Sequence, residues 1–399
     1  MAGDRTAHTV KITDVRAVPL SSPIPERHQF RSDLGTRVKN DATLIYVDTD
    51  AGLTGLGTAL GTPSVVVALV EDSLGPALVG EDPTYVERLW SKLYNGSRAE
   101  PALERGYSQP RYDRRGVTLE AISGIDIALW DLLGKHLDQP VYKLLGAARE
   151  SVRAYGSGGW AAGEEAGPEL AGYVEEHGFD AVKMRVVGED DLAIENTVRR
   201  VESAREHLGD DVDVMVDAHG SLDVPTAVRI ARRLEPYDVA WFEEPVTPDD
   251  HAALAEVRAA TEVPIATGES EFTRFDYRSL LAENAADVLQ PDVARAGGFT
   301  EIRRVAAMAS AHGVRTIPHA WGSGLLFAAS IHLALALPNC HILEVPQAPY
   351  MPMLWELFEE EYDVRDGRVY APSGPGLGFT LREDVEERFA YVEGPEYEY

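Results

Sequence analysis

Cysteine is almost missing from this chain: Cys340 is the single one among 399 residues, so one chain can form neither a disulfide nor a cysteine-based metal site. Long apolar runs are missing too. No stretch reaches the roughly 18 residues that span a bilayer, and the polar start MAGDRTAHTVK lacks a signal-peptide core. Lysine is scarce, six of the 37 basic residues, and 66 acids set a formal charge of −29. Nucleic acid and anionic membrane are therefore poor partners. Acid excess with few lysines resembles the surfaces of proteins in a high-salt cytoplasm, where concentrated cation screens self-repulsion. The expectation is a soluble, cytoplasmic protein. Its 44% hydrophobic content is ample for a large core, and its length suits two domains or one elaborated barrel.

What the chain does have is a regular series of acids. Asp217 stands at the end of the apolar run VDVMVDAHG, Glu243 in VAWFEEP and Glu269 in VPIATGES; successive acids are 26 residues apart, about one strand, one loop and one helix. In a closed parallel barrel the C-terminal ends of neighbouring strands lie side by side, so three acids there converge. Three buried carboxylates stay ionised together only around a cation. Oxygen ligands favour a hard one, Mg2+ before Ca2+ or Mn2+. A single strand-end acid is as readily a cap for the next helix; it is the series that points to a metal.

Taken in order, Val10 to Leu20 reads as a first strand and Ala42 to Asp48 as a second, followed by the glycine-punctuated turn DAGLTGLG. Residues 21–41 between them are polar, carry two prolines and read as a loop of about twenty residues, a length that is usually functional or disordered. His28, Arg31, Asp33 and Lys39 can reach a ligand from it, although each taken singly is as well explained as a solvated loop residue. Pro63 to about Leu93 has helical spacing. The next long helix, GVTLEAISGIDIALWDLLGK, presents Ile122, Ile125, Ala128, Leu129 and Leu132 on one face. After Gly146 strand-like runs alternate with helical segments: SVRAYGSGG, DAVKMRVV, DVDVMVDAHG, DVAWFEEP, EVPIATGES, ADVLQPDVA, GVRTIPHA and CHILEVP. Eight such runs predict a TIM-type barrel with its site at the C-terminal strand ends. The tail from about Asp363 turns to glycine and proline and is expected to return to the first domain.

Residues two apart on a strand share a face. Lys183 and Arg185 are such a pair on the second barrel strand, and would orient an anionic substrate beside the acids. Asp217 and His219 are another, with Asp217 on the metal and His219 reaching over the pocket. Asp292 in LQPD and His319 in TIPHAWG are 27 residues apart, one repeat. An aspartate on the adjacent strand would fix the imidazole's tautomer and raise its basicity, making His319 a general base. Glu344 ends the eighth run, where it either faces a substrate carboxylate while protonated or forms a plain salt bridge. His332 in IHLALAL and His312, His136, His177 and His207 read as structural or solvated.

These residues together resemble the enolase superfamily, in its mandelate racemase and muconate-lactonizing branch. The resemblance rests on ISGIDIALWDLLGK, VKMRV, VDAHG, WFEEP, ATGES, LQPDVARAGG, IPHAWGSG and SGPGLGF, and covers nearly the whole chain. It implies an α/β fold: a modified (β/α)7β barrel over 147–362, under an α+β capping domain of residues 1–146 completed by the tail 363–399. It also implies Mg2+, with Mn2+ as a substitute, held by Asp217, Glu243 and Glu269. The chemistry implied is removal of the proton next to a carboxylate, the dianion being stabilised as it forms by the metal and Lys183.

Two departures narrow the reaction. Many family members, including racemases and acid-sugar lactone cycloisomerases, resemble this chain but carry a second lysine where Arg185 stands, and a guanidinium is an ineffective base. One-sided abstraction by His319 is then favoured. The aspartate-x-histidine form of Asp217 and His219 resembles sugar-acid dehydratases, in which the histidine protonates a departing β-hydroxyl. The expected activity is dehydration of an acid sugar to a 2-keto-3-deoxy acid, with His319, Asp292, His219 and Lys183 catalytic and Arg185, Glu344, Arg31 and Lys39 binding substrate. The alternatives are a sugar-acid lactone cycloisomerase or epimerase and, in a different class, a non-catalytic binding homologue. A homo-oligomer, dimer to octamer, is also implied.

Overall fold

The computed structural model describes residues 10–32, 34–161, 163–185 and 193–398; Asp33 lies outside them. β1 (Ile12–Pro23) runs on past the expected strand end, because its antiparallel partner continues opposite it. The described residues of the stretch read as a loop at 21–41 therefore include strand and helical turn. A single 3-10 turn (Glu26–His28), β2 (Phe30–Ser32) and β3 (Gly35–Arg37) lead into β4 (Lys39–Thr49), whose first residue pairs with Pro23. Prolines 23 and 25 stop the ladder there, since neither can donate an amide hydrogen.

β5 (Thr54–Ala59) completes a three-stranded antiparallel sheet in the order β1-β4-β5. It packs directly on the helix Val117–Leu137, and the glycines of TGLG make that approach possible. A β-carbon on Gly57 would stand 1.9 Å from the Gly124 carbonyl oxygen, and one on Gly55 2.1 Å from that of Ala128. The helix is buried well beyond the one apolar face expected: Glu120, Ser123, Asp126 and Asp131 are buried too. The reason is its place between the cap sheet and the barrel helix Gly298–Ala311, and the polar groups are satisfied across that interface. Thr300 donates its hydroxyl to Asp126 at 2.6 Å and accepts from the Trp130 indole at 2.9 Å, while Ser123 accepts from the Gly297 amide at 2.8 Å.

All eight expected barrel runs are strands: β6 (Ser151–Gly158), β7 (Ala181–Arg185), β8 (Asp213–Asp217), β9 (Val239–Glu243), β10 (Ile265–Thr267), β11 (Val288–Leu289), β12 (Arg315–Thr316) and β13 (Ile342–Pro346). They pair in parallel from β13 through β6 to β12, and no ladder joins β12 to β13 among the described residues. Helices alternate with them. In Val224–Leu234, Asp223 caps the start by accepting the Thr226 amide at 2.8 Å, and Ala227, Ile230, Ala231 and Leu234 form the buried stripe.

Within the barrel the two-residue period separates a plug from a site. Tyr155, Ala181, Met215, Trp241, Ala266, Val288, Ile317 and Ile342 form one inward layer, one residue from each strand or its extension. Two positions further along stand Ser157, Lys183, Asp217, Glu243, Gly268, Gln290, His319 and Glu344. Seven of those eight carry a polar side chain, so the apolar floor is followed by a polar ring at the C-terminal ends.

The tail divides its contacts. β14 (Val364–Arg365) and β15 (Arg368–Tyr370) form a hairpin that adds antiparallel to the start of β6, so this part joins the barrel sheet. Beyond it the chain returns to the cap: the Leu377 amide donates to Asp131 at 2.7 Å, and β16 (Tyr397–Glu398) pairs with β3.

Candidate active site

The polar ring opens into a cavity of about 640 Å3 between barrel and cap. Lys183, Arg185, Asp217, His219, Glu269, His319 and Glu344 line it. Glu269 comes one residue after the ring position on its strand. Gly268, at φ 126°, makes the turn that brings it in, a conformation closed to residues with a β-carbon.

The acids are engaged by cations and donors of the chain. Lys183 Nζ is 2.6 Å from Glu243 Oε1 and 3.0 Å from Glu344 Oε1. Glu243 Oε2 accepts from the Trp241 indole at 3.1 Å and from Gln290 at 2.7 Å. Asp217 accepts from the His219 backbone amide at 2.8 Å and lies 3.5 Å from Arg185 Nε. Both imidazoles approach Glu269, His219 Nε2 at 3.6 Å from Oε1 and His319 Nε2 at 3.7 Å from Oε2. His319 Nδ1 stands 2.7 Å from Asp292 Oδ2, the two strand ends being joined there by a parallel bridge.

These charges are unevenly balanced. Burial pushes Glu243 up to about 7, and the charges of Asp217, Glu269 and Glu344 add to it against Lys183. Its neighbour Glu244 is raised well above the usual carboxylate range by burial and by Glu269, Asp217 and Glu243. Burial alone would depress His319; Glu269, the hydrogen bond to Asp292 and the charge of Glu344 override it and push it up to about 10. Burial would lower Lys183 too, but Glu243 and Glu344 hold it well above its ordinary value.

Among the described residues no three acids or histidines are arranged to enclose an ion as they stand. The donor chemistry nevertheless suits one. Asp217 and Glu243, buried, and Glu269, partly exposed to the cavity, offer oxygens at three neighbouring strand ends, and their mutual repulsion is what a hard divalent cation relieves.

The structure brings most of the anticipated residues together and leaves Lys39 out of the cavity lining. Lys39 is buried away from the cavity, its ammonium 2.8 Å from Asp41 and 2.5 Å from the Val392 carbonyl oxygen, because β4 extends through it. Glu344 lines the cavity in an ion pair with Lys183 at 3.0 Å, the salt-bridged one of the two arrangements expected for it. Lys183 and His319 outweigh burial and hold its carboxyl down at about 2, with Ser157 and the Ala320 amide as further donors. Arg31 is exposed and lines a smaller recess beside Arg185 and Asp217. His28 stacks on Tyr350 at 5.6 Å, outside the cavity. His332 is structural, accepting the Tyr142 amide at 3.0 Å.

Several lining residues were not anticipated. Phe30, Trp160 and Trp321 form an aromatic side, with ring centroids 4.1 Å and 5.5 Å apart. Trp321 shares strand parity with His319, the signal that would have found it. Arg37, Asp41, Tyr391 and the segment 394–397 complete the cavity from the cap, and no spacing along the chain announces them.

Residues 15–146 match the family described as mandelate racemase/muconate lactonizing enzyme, N-terminal domain, and residues 165–385 match enolase C-terminal domain-like. The chain is 34% identical over 359 residues to a D-galactarolactone cycloisomerase of Agrobacterium fabrum, covering 87% of this chain and 90% of the relative. It is 33% identical over 349 residues to an arabinonate dehydratase of Saccharolobus solfataricus, covering 86% and 89%. A solved structure of an enolase-superfamily member from Polaromonas sp. JS666 superposes with a TM-score of 0.86 at 34% identity, over 98% of this chain and all of that one. With both family regions matched and the acids, lysine and histidines of the site in one cavity, the chain belongs to the mandelate racemase and muconate-lactonizing branch of the enolase superfamily.

Proposed function

We propose that the chain is a Mg2+-dependent acid-sugar dehydratase, converting a sugar acid to its 2-keto-3-deoxy acid. The observation that carries this reading is the approach of two imidazoles to the two oxygens of one carboxylate, at 3.6 and 3.7 Å from Glu269. One substrate bound there meets a base and an acid together. Its dehydratase relatives support the same reading.

Asp217, Glu243 and Glu269 would hold the cation. When bound, it supplies positive charge that stabilises an enediolate and lets the three acids remain ionised together. The chain's residues do the rest. His319 Nδ1–H is held by Asp292; with the charge of Glu269, the largest influence holding the ring protonated, taken up by a bound cation, Nε2 would be free to take the proton from the carbon next to the substrate carboxylate. The electron pair left behind passes into the enediolate. It returns to form the carbon–carbon double bond as the 3-hydroxyl leaves, and His219 donates the proton that makes it water. The enol then tautomerises to the keto acid. Lys183 fixes Glu243 and Glu344 and adds a positive charge at the cavity floor. Arg185, always charged, binds rather than abstracts.

The D-galactarolactone cycloisomerase relative supports a second reading, opening or rearrangement of a sugar-acid lactone without net loss of water. A panel of aldonic, aldaric and lactone substrates in D2O separates the two. Formation of 2-keto acid is the expected result, whereas deuterium incorporation without keto acid overturns dehydration in favour of epimerisation or cycloisomerisation.

A further inference from the structure

The side of the cavity away from the barrel is built by the two ends of the chain. β16 pairs with β3, which brings Tyr391, Glu396 and Tyr397 beside Arg37 and Asp41 around the cavity. Glu396 Oε1 accepts the Asp41 backbone amide at 2.7 Å and lies 3.5 Å from the Arg37 guanidinium, which also stands 5.3 Å over the Tyr397 ring. Asp41 in turn is held by Lys39 at 2.8 Å and by the Ser21 hydroxyl at 2.7 Å. Two cations and two carboxylates thus cancel. Of the cavity-lining pair, the acid is the more accessible: the Glu396 side chain is 34% exposed, that of Arg37 13%.

The same matching holds around the rest of the cavity. Among the described residues, every lysine or arginine lining it has a carboxylate of the chain within 3.5 Å: Arg37 with Glu396, Lys183 with Glu243, Arg185 with Asp217 and Arg295 with Glu120. A substrate's reacting carboxylate belongs at the barrel floor with the cation. A second carboxylate at the far end would be stripped of water against Glu396 and Asp41, where the cation of that wall, Arg37, is already paired with Glu396. Hydroxyl groups suit that wall, because each can donate to a carboxylate and accept from Arg37.

We propose that the C-terminal strand, through Glu396 paired with Arg37, restricts the site to sugar acids with a single carboxylate, aldonic rather than aldaric. This rests on the acid-sugar reading above, but its test is binding and not turnover. An aldonate and the aldarate of the same carbon skeleton are titrated calorimetrically into the full-length protein with Mg2+. The aldonate is expected to bind at least tenfold more tightly. Glu396→Gln, which keeps an acceptor for the Asp41 amide but removes the charge, is expected to raise the aldarate-to-aldonate affinity ratio at least tenfold, and Glu396→Ala to move it the same way. Equal or tighter aldarate binding by the unaltered protein, a ratio unmoved by both substitutions, or no binding of either acid overturns the proposal. Tighter aldonate binding without α-proton exchange in D2O leaves it standing and overturns the dehydratase reading instead.

Discussion

His319 Nδ1 and Asp292 Oδ2 are 2.7 Å apart, although 27 residues separate them in the chain. The other Asp292 oxygen accepts the Ala294 amide at 2.7 Å, so the carboxylate is clamped and the imidazole is aimed with Nε2 into the cavity. His319→Asn is expected to abolish α-proton exchange in D2O, a loss of roughly 10²–10⁴-fold for a general base. Asp292→Asn should fall in the same range with the ring still present. Exchange followed by NMR checks both, and a near-normal rate in either variant counts against His319 as the base.

Lys183 is a strut as well as a charge. Lys183→Met leaves Glu243 and Glu344 buried without their cation, an expected cost of roughly 3–5 kcal/mol in urea unfolding. Adding Glu344→Gln should recover part of that loss, because one of the stranded charges is gone.

Metal is expected to show in stability before it shows in rate. Thermal unfolding of chelated protein should shift upward with added Mg2+, approaching about 2.7 kcal/mol of stabilisation at a hundredfold excess over the dissociation constant. Asp217→Asn and Glu269→Gln should each abolish the shift. A shift retained by both variants would place the ion elsewhere.

His332 makes stability depend on pH. It accepts the Tyr142 amide at Nδ1 and donates from Nε2 to the Leu377 carbonyl oxygen, so the ring is neutral and a second proton has no room. Burial lowers it from its ordinary 6.5 to about 4. Between those values the unfolded chain binds the proton and the folded one does not. Its contribution is therefore fully present above pH 6.5 and is lost as the pH falls toward 4, by roughly 3 kcal/mol in all. Urea midpoints at pH 7.5 and 4.5 should differ less in His332→Gln than in the unaltered protein.

Gly57→Ala tests the seat of the cap. The added carbon would stand 1.9 Å from a backbone oxygen, which cannot swing aside as a side chain can. A loss of roughly 1–3 kcal/mol is expected, measured by the same unfolding; an unchanged midpoint would mean the helix shifts freely.

The sequence by itself determined the eight barrel strands and the residues at their ends. Strand period and repeat length are local properties, and Lys183, Asp217, Glu243, His319 and Glu344 follow from them by counting two from a buried apolar residue. Three things were decided only by tertiary structure. The ends of the stretch 21–41 became strand because β1 and β4 pair there, and Phe30–Ser32 did so by pairing with Gly35–Arg37; pairing across a chain reversal leaves no period to read. Glu344 is held as an anion because Lys183 and His319, on other strands, stand beside it, so its charge state depends on distances that no spacing encodes. The outer wall of the cavity joins residues 37 and 41 to residues 391–397, from opposite ends of the chain. Only the folded path of the tail brings them to one surface, and with it the charge that a substrate's far end must meet.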